Sequence, residues 1–250
     1  MDDADAKKTI LASRPVITLS YAQTFDGRLA TSTGSSRWIS APESLRFSHK
    51  LRAEHDAIMV GVGTARKDDP RLTVRLAAGR DPLRVVVDST LRTPLTAAVL
   101  AGGAAPGTVL AVTDRAPLAK REEVRALGAT VLRVQGDTGG RVDLVALLAA
   151  LHGRGVRSVL VEGGAGMITA LLRARLVDRM VVCIAPKILG AGIEAVGDLG
   201  IRELARTLIV ADTSVTPCGA DLILDGRIEY PDSPTVTVDS EEAVGCVTVS

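Results

Sequence analysis

Two glycine turns carry the chemistry that this chain displays most openly. They are Ala57-Ile58-Met59-Val60-Gly61-Val62-Gly63-Thr64 and, far along the chain, Val159-Leu160-Val161-Glu162-Gly163-Gly164-Ala165-Gly166. In each, an apolar run stops at residues without side chains just before a helix-forming stretch, so an anionic oxygen can approach bare backbone N–H groups at a helix start. Such turns suit a nucleotide. The first fails as a dinucleotide fingerprint, because the third glycine position holds Arg66, and it runs into Asp68-Asp69-Pro70, which limits a helix to a turn or so. In the second, Glu162 occupies the last strand position, directly before the turn. Backbone donors suit phosphate, whereas a carboxylate repels it and accepts from neutral N–H or O–H groups of a second ligand. A plainer role for Glu162 is to cap the following helix. Arg52 and Arg75 are the cations best placed to grip a small anion, since a guanidinium binds phosphate bidentately. The single tryptophan, Trp38, follows Gly34-Ser35-Ser36 and offers a flat ring to a site, or simply core packing.

Other chemistries lack their parts. There is no Gly-x-Ser-x-Gly elbow, and no glycine turn ends in Gly-Lys-Ser/Thr. Pro217-Cys218-Gly219-Ala220-Asp221 has an acid where a zinc deaminase needs its second thiolate, so no metal is expected. His49, His55 and His152 fall in or at the ends of helical runs away from the glycine turns and read as structural or surface residues. What survives is a site with two ligand halves and no strong nucleophile, metal or histidine base. Hydride transfer fits that inventory, since a cofactor carries the reactive bond and the protein supplies alignment.

The elements that must position these residues follow from periodicity. Strands are expected at Val16–Thr24, Ala57–Val60, Leu83–Val87, Val109–Val112, Thr130–Val134, Ser158–Val161 and Arg179–Ile184. Helical patterns cover Leu118–Leu127, Val142–His152 and Met167–Arg175, and a further helix, capped by Ser40, carries Leu45, Ser48 and Leu51 on one face and ends near His55. The longest uncharged stretch, Thr93 to Thr113, could suggest a membrane span, but its prolines and glycines would break a spanning helix, and it reads as a loop between strands. After Leu208 two alternating runs, Ile209–Pro217 and Asp221–Ile228, flank Cys218-Gly219-Ala220 as an antiparallel hairpin. The fold class is therefore α/β: a three-layer arrangement with a mixed, mostly parallel sheet, helices on both faces and a C-terminal antiparallel hairpin.

The 250 residues include 30 Lys and Arg against 29 Asp and Glu, so a net charge of +1 offers no field for gripping nucleic acid, and aromatics at 2% leave few rings for stacking bases. Cys183, Cys218 and Cys246 are odd in number and widely spaced, without a disulfide framework, which with the absence of a signal-like start points to a cytoplasmic enzyme. Residues 1–14 are expected as a flexible tail, 15–230 as one domain, and 231–250 as a weakly ordered tail.

Several ordered blocks resemble the riboflavin-pathway pyrimidine reductases, which share a dihydrofolate-reductase-like fold. They are Ser20 to Leu29 with its Asp26-Gly27 turn, Ser36-Arg37-Trp38-Ile39-Ser40, Leu51-Arg52, Gly61-Val62-Gly63-Thr64, and Asp68-Asp69-Pro70-Arg71-Leu72-Thr73-Val74-Arg75. Pro82 to Ser89, Glu162-Gly163-Gly164 and Ala185-Pro186-Lys187-Ile188-Leu189-Gly190 complete the match. The resemblance implies NADPH as hydride donor and a ribosylamino-pyrimidine 5′-phosphate as substrate, its ribosyl group reduced to ribityl at C1′ of the ring-opened imine. By position it implies cofactor contacts at Trp38, Thr64, Asp68, Ser89, Val161, Gly163, Gly164, Ala165, Gly166, Met167 and Ile168. It implies substrate contacts at Ser36, Arg52, Leu72, Arg75 and Glu162, with Glu162 also positioning the substrate for catalysis. Ser89 and Leu72 rest on the resemblance alone. A deaminase segment, fused ahead of the reductase in many relatives, is not seen, so a separate reductase is expected. Its substrate is either the 2,5-diaminopyrimidinone or the aminouracil. A homodimer is expected, with the apolar Arg179–Ile193 segment and the hairpin supplying a sheet edge, and neither nucleic acid nor membrane as partner. A silent NADP-binding sensor, a reductase of a related pteridine-like pathway and dihydrofolate reduction are the alternatives.

Overall fold

The computed structural model describes residues 14–36 and 39–231. Trp38 and almost all of the two expected tails lie outside the described residues. Nine strands form one sheet in the order β10-β11-β8-β1-β7-β3-β4-β5-β6. They are β1 (Val16–Thr24), β3 (Ala57–Gly61), β4 (Leu83–Val87), β5 (Thr108–Val112), β6 (Thr130–Arg133), β7 (Ser158–Val161), β8 (Arg179–Ala185), β10 (Ile209–Cys218) and β11 (Asp221–Glu229). All neighbours pair in parallel except β11, which runs antiparallel to both β8 and β10. The parallel strands are covered on both faces, and this is why β3 and β5 read as unbroken apolar runs rather than alternations. The hairpin at the edge alternates instead, with β10 largely exposed.

Alternate residues feed two cores. Ile17, Leu19, Met59 and Val161 pack with Leu147, Leu148 and Leu151 of α4 (Leu144–His152) and Ile168, Leu171 and Leu172 of α5 (Ala165–Arg173). Ile58, Val60, Leu160 and Cys183 face the opposite side, where Leu51 of α1 (Pro42–Glu54), Ala65 of α2 (Val62–Asp68) and Val124 of α3 (Leu118–Ala126) lie. The expected three layers are thus present.

The connections fix where a ligand can bind. After β6 the chain returns through α4 and inserts β7 between β1 and β3. From β3 the chain leaves into α2 on one face, whereas from the adjacent β7 it leaves into α5 on the other. Neighbouring strands whose connections part to opposite faces open a crevice at their carboxyl ends. Both glycine turns sit at that crevice.

One expectation needs correction, and one small sheet was not anticipated. The N-cap of α1 is Ala41, not Ser40, and no side chain of its own caps it. Asp221 from the hairpin does the work instead, its carboxylate accepting from the Ala41 N–H at 2.6 Å and the Ser44 hydroxyl at 2.7 Å. An acid at a helix start complements the dipole there, so a residue remote in sequence replaces a local cap. The strand expected at Val109–Val112 is present as β5, one residue longer at its start and fully buried, and ends the loop that begins at Thr93. A second, two-stranded sheet of β2 (Arg28–Thr31) and β9 (Gly192–Glu194) was not legible, since its strands are too short to show a period.

Candidate active site

A cavity of about 640 Å³ opens at the carboxyl ends of β1, β3 and β7, within the range usual for small-molecule clefts. Its wall includes Ser36, Arg52, Thr64, Asp68, Leu72, Glu162 and Gly163 through Met167. The two turns, remote in sequence, pack against each other. A Cβ on Gly164 would lie 3.4 Å from Thr64 Oγ1, and one on Gly61 would lie 3.6 Å from Met167 Cε.

At the second turn, Gly164 is the N-cap of α5 and makes no side-chain cap. The Met167 and Ile168 N–H groups are spent on the Gly164 carbonyl, at 2.9 and 3.2 Å. Those of Gly163 through Gly166 find no acceptor among the described residues, which leaves donors facing the cavity. Space above the turns is open where it is needed, because a Cβ on Gly63 or Gly166 would meet nothing within 4 Å. Open glycines, orphan amides and the adjacent Thr64 hydroxyl make a cradle that fits the phosphates of a dinucleotide.

Glu162 does not cap the helix that follows it. Its carboxylate takes a two-pronged ion pair from Arg52, Nε to Oε1 and Nη2 to Oε2, both at 2.7 Å. This fork geometry is the strong form of the guanidinium–carboxylate contact. Arg52 comes from the last turn of α1 and is 8% exposed, and its Nη1 donates to the Thr73 carbonyl at 3.1 Å. The pair therefore clamps α1, β7 and the segment after α2 together, and presents Glu162 to the cavity in one orientation.

The two arginines meet at Thr73, Arg52 at its carbonyl and Arg75 at its hydroxyl, but Arg52 lines the cavity and Arg75 does not. Arg75 lines a neighbouring polar groove with Arg71, Arg80 and Arg84, and its Nη1 donates to Thr73 Oγ1 at 2.7 Å. Partial desolvation, then the like charges of Arg52 and Arg71, push the Arg75 pKa down. Such crowding of cations favours an anion beside it.

His49 joins the two arginines, a link that sequence reasoning missed by treating it as remote from the site. It is fully buried one turn before Arg52 in α1, and its Nδ1 accepts the Arg75 backbone N–H at 2.9 Å. Burial first, then Arg52 and Arg75, lower its pKa, which keeps it neutral and able to accept. The spacing His49-x-x-Arg52 on one helix was the available signal. His55 is structural as expected, bridging the Leu51 carbonyl and Thr18 Oγ1 at 2.6 and 2.8 Å.

The remaining candidates divide. Leu72 is buried in the cavity wall with a φ of 55°, a left-handed conformation that costs a bulky residue and marks a strained segment beside the site. Asp68 ends α2 at the cavity, and its neighbour Asp69, at φ 40°, ties its carboxylate to the Ala98 N–H. Val161 and Ile168 are completely buried in the core, so their side chains reach no ligand. Ser89 lies two residues beyond the end of β4 and outside the cavity wall, with its Oγ accepting the Val142 N–H at 2.9 Å. Among the described residues, no group of three or more His, Cys, Asp and Glu stands close enough to hold a metal ion. No helix among them is long and apolar enough to cross a membrane.

Comparison with known proteins places this architecture. The profile of the RibD C-terminal domain matches residues 15–224. The riboflavin biosynthesis protein RibD of Aquifex aeolicus is 41% identical over 216 residues, covering 86% of this chain and 58% of that protein. The chain thus spans less than two thirds of that relative. The 2,5-diamino-6-ribosylamino-4(3H)-pyrimidinone 5′-phosphate reductase of Methanothermobacter thermautotrophicus is 44% identical over 222 residues, covering 86% of this chain and 99% of its own length. Among solved structures, RibD of Acinetobacter baumannii superposes with a TM-score of 0.75 at 28% identity, covering 87% of this chain and 59% of that one.

Proposed function

Since the chain belongs to the RibD C-terminal domain family, the pyrimidine reductases of riboflavin biosynthesis, we propose that it reduces a ribosylamino-pyrimidine 5′-phosphate with NADPH. The substrate we assign is the 2,5-diaminopyrimidinone form, named for the relative of matching length. One observation carries the reading: Glu162, held by Arg52 from a distant helix, directly precedes the amide turn at Gly163–Gly166, and fork and turn line one cavity. A cofactor-only protein would have no need of the second half.

The roles follow from the geometry. Gly163 through Gly166, Thr64 and Asp68 hold the dinucleotide, which supplies a hydride when bound. Arg52 holds the Glu162 carboxylate so that its remaining lone pairs accept from the amino and ring N–H groups of the pyrimidine. The Arg75 guanidinium, hydrogen-bonded among the described residues to Thr73 Oγ1, turns toward the 5′-phosphate, helped by Arg71. Ser36 and Leu72 line the same substrate half. A ring-opened, protonated imine at C1′ needs orientation more than a strong acid, and none is supplied. Reduction there leaves a secondary amine.

Residues 15–230 act as the catalytic unit, in the cytoplasm and as a homodimer. The exposed edge strand β10, with Ile209 and Val215 outward, supports the pairing of two copies. Light scattering of the purified chain at two concentrations tests this, and a constant monomer mass contradicts it.

The function is tested by following NADPH oxidation with the diaminopyrimidinone ribotide and with the aminouracil ribotide. Faster turnover of the former is expected. Turnover of neither overturns the assignment, and preference for the latter reverses the order of reduction and deamination.

A further inference from the structure

Tyr21 is an unspent hydrogen-bonding group in the cavity. It lies on β1 and lines the cavity with Leu29 and Met167, while the body of its ring packs into the core shared with α4 and α5. The pairing of β1 with β7 runs Leu19 to Val161, so two residues further on Tyr21 comes level with Gly163, on the face of the sheet from which α5 departs. Glu162 and Arg52 belong to the opposite face, with α1. Tyr21 therefore stands in the dinucleotide half of the site rather than the pyrimidine half.

The phenol of Tyr21 has no hydrogen-bond partner among the described residues, although most of the side chain is buried. The hydroxyl is not itself shut away from solvent, so a ligand in the cavity can take it up, and Tyr is favoured where one end is apolar and the other meets a polar partner. The β1 side chains that precede it on this face, Ile17 and Leu19, are apolar and fully buried, whereas Tyr21 and then Gln23 are polar and partly exposed as the strand reaches the cavity. Burial pushes its pKa up to about 12, which keeps it a neutral donor across the working pH range.

We propose that the Tyr21 hydroxyl is a cofactor-binding group that hydrogen-bonds the nicotinamide end of the dinucleotide and helps fix the ring against the end of β1. The inference rests on the reductase reading above. The contact is made at the reactive end, because the amides of Gly163–Gly166 and Thr64 already account for the phosphates.

The test is equilibrium binding of NADPH and of adenosine 2′,5′-bisphosphate, which lacks the nicotinamide, to the wild type and to Tyr21→Phe by titration calorimetry. Phe keeps the ring and its packing, and an unchanged thermal midpoint checks the fold. The variant is expected to bind NADPH about three- to tenfold more weakly, the loss of one neutral hydrogen bond, with the bisphosphate unaffected. Equal affinity of the two proteins for NADPH overturns the proposal, as does equal weakening of both ligands. Failure of the wild type itself to bind NADPH is a different outcome, and it overturns the reductase reading instead.

Discussion

The two glycine turns look alike on paper and do different things. Both end parallel strands, and both precede a helix. After β3 the chain leaves toward one face in the seven-residue α2, whose C-cap Asp69 turns left-handed and leads into the strained Leu72 and the segment that carries Arg75. After β7 it leaves toward the other face in the nine-residue α5, with four orphan amides at its start and a carboxylate locked in front of them. The first turn is a hinge of the wall, leading on to the groove where an anion can sit. The second is the floor on which both ligands must meet. Similar local sequence thus yields different roles because the topology sends the two connections apart.

The largest effect should come from the second turn. Glu162→Gln leaves the buried Arg52 without its counter-charge, and we expect a loss of about 100-fold in kcat/KM for the pyrimidine, since misplacement of a positioned group has that scale. Stability should fall by roughly 2 kcal/mol, less than for a fully buried pair because a fifth of the Glu162 side chain, 21%, remains exposed. Wild-type activity in this variant would make the turn merely structural.

Arg75→Ala tests the other region. The pyrimidine KM should rise about tenfold while that for NADPH stays near wild type, the mark of an interaction made with one ligand only. Equal changes in both would remove the distinction between the two regions.

A matched pair of glycine variants sharpens the contrast. On Gly163 a Cβ would stand 2.9 Å from Met167 Cβ, so Gly163→Ala should lower stability by about 1–3 kcal/mol through overpacking. On Gly63, inside α2, it would meet nothing within 4 Å, so Gly63→Ala should melt no lower than wild type yet bind NADPH several-fold more weakly, measured by fluorescence titration. Unchanged NADPH affinity in Gly63→Ala would remove the first turn from the cofactor cradle.

The smallest effect concerns His49, which bridges the regions. Its pKa is lowered on folding, so the unfolded chain binds the proton more readily and stability must fall as pH drops below the unfolded value of about 6.5. Protonation also removes the acceptor that holds the Arg75 N–H, so the pyrimidine KM should rise over the same range. His49→Gln should flatten this KM dependence. A profile identical to wild type would show that His49 does not couple the two.

Much of this was legible beforehand for a physical reason. The parallel strands are buried on both faces, so Ser158–Val161 and Leu83–Val87 appear in the sequence with the bounds that the structure shows. The turns, Glu162 and Arg52 were visible because glycine, carboxylate and guanidinium have few cheap alternatives at strand ends and in buried helix turns. What escaped is what only tertiary contact creates. Asp221 caps a helix from far along the chain, and the β2–β9 sheet forms from segments with no period of their own. That Arg52 pairs with Glu162 could not be read from spacing, because it depends on which face each strand residue takes. Val161 and Ile168 illustrate the same limit, being neighbours of the turn in sequence but members of the core in space.

The central claim is that one cavity holds the nicotinamide against C1′ of the ribotide. Its most direct test is turnover with NADPH carrying deuterium at both C4 positions, followed by mass spectrometry and NMR of the product. Our account predicts one deuterium, located at C1′ of the new ribityl chain. A reduced product without deuterium at that carbon would contradict it.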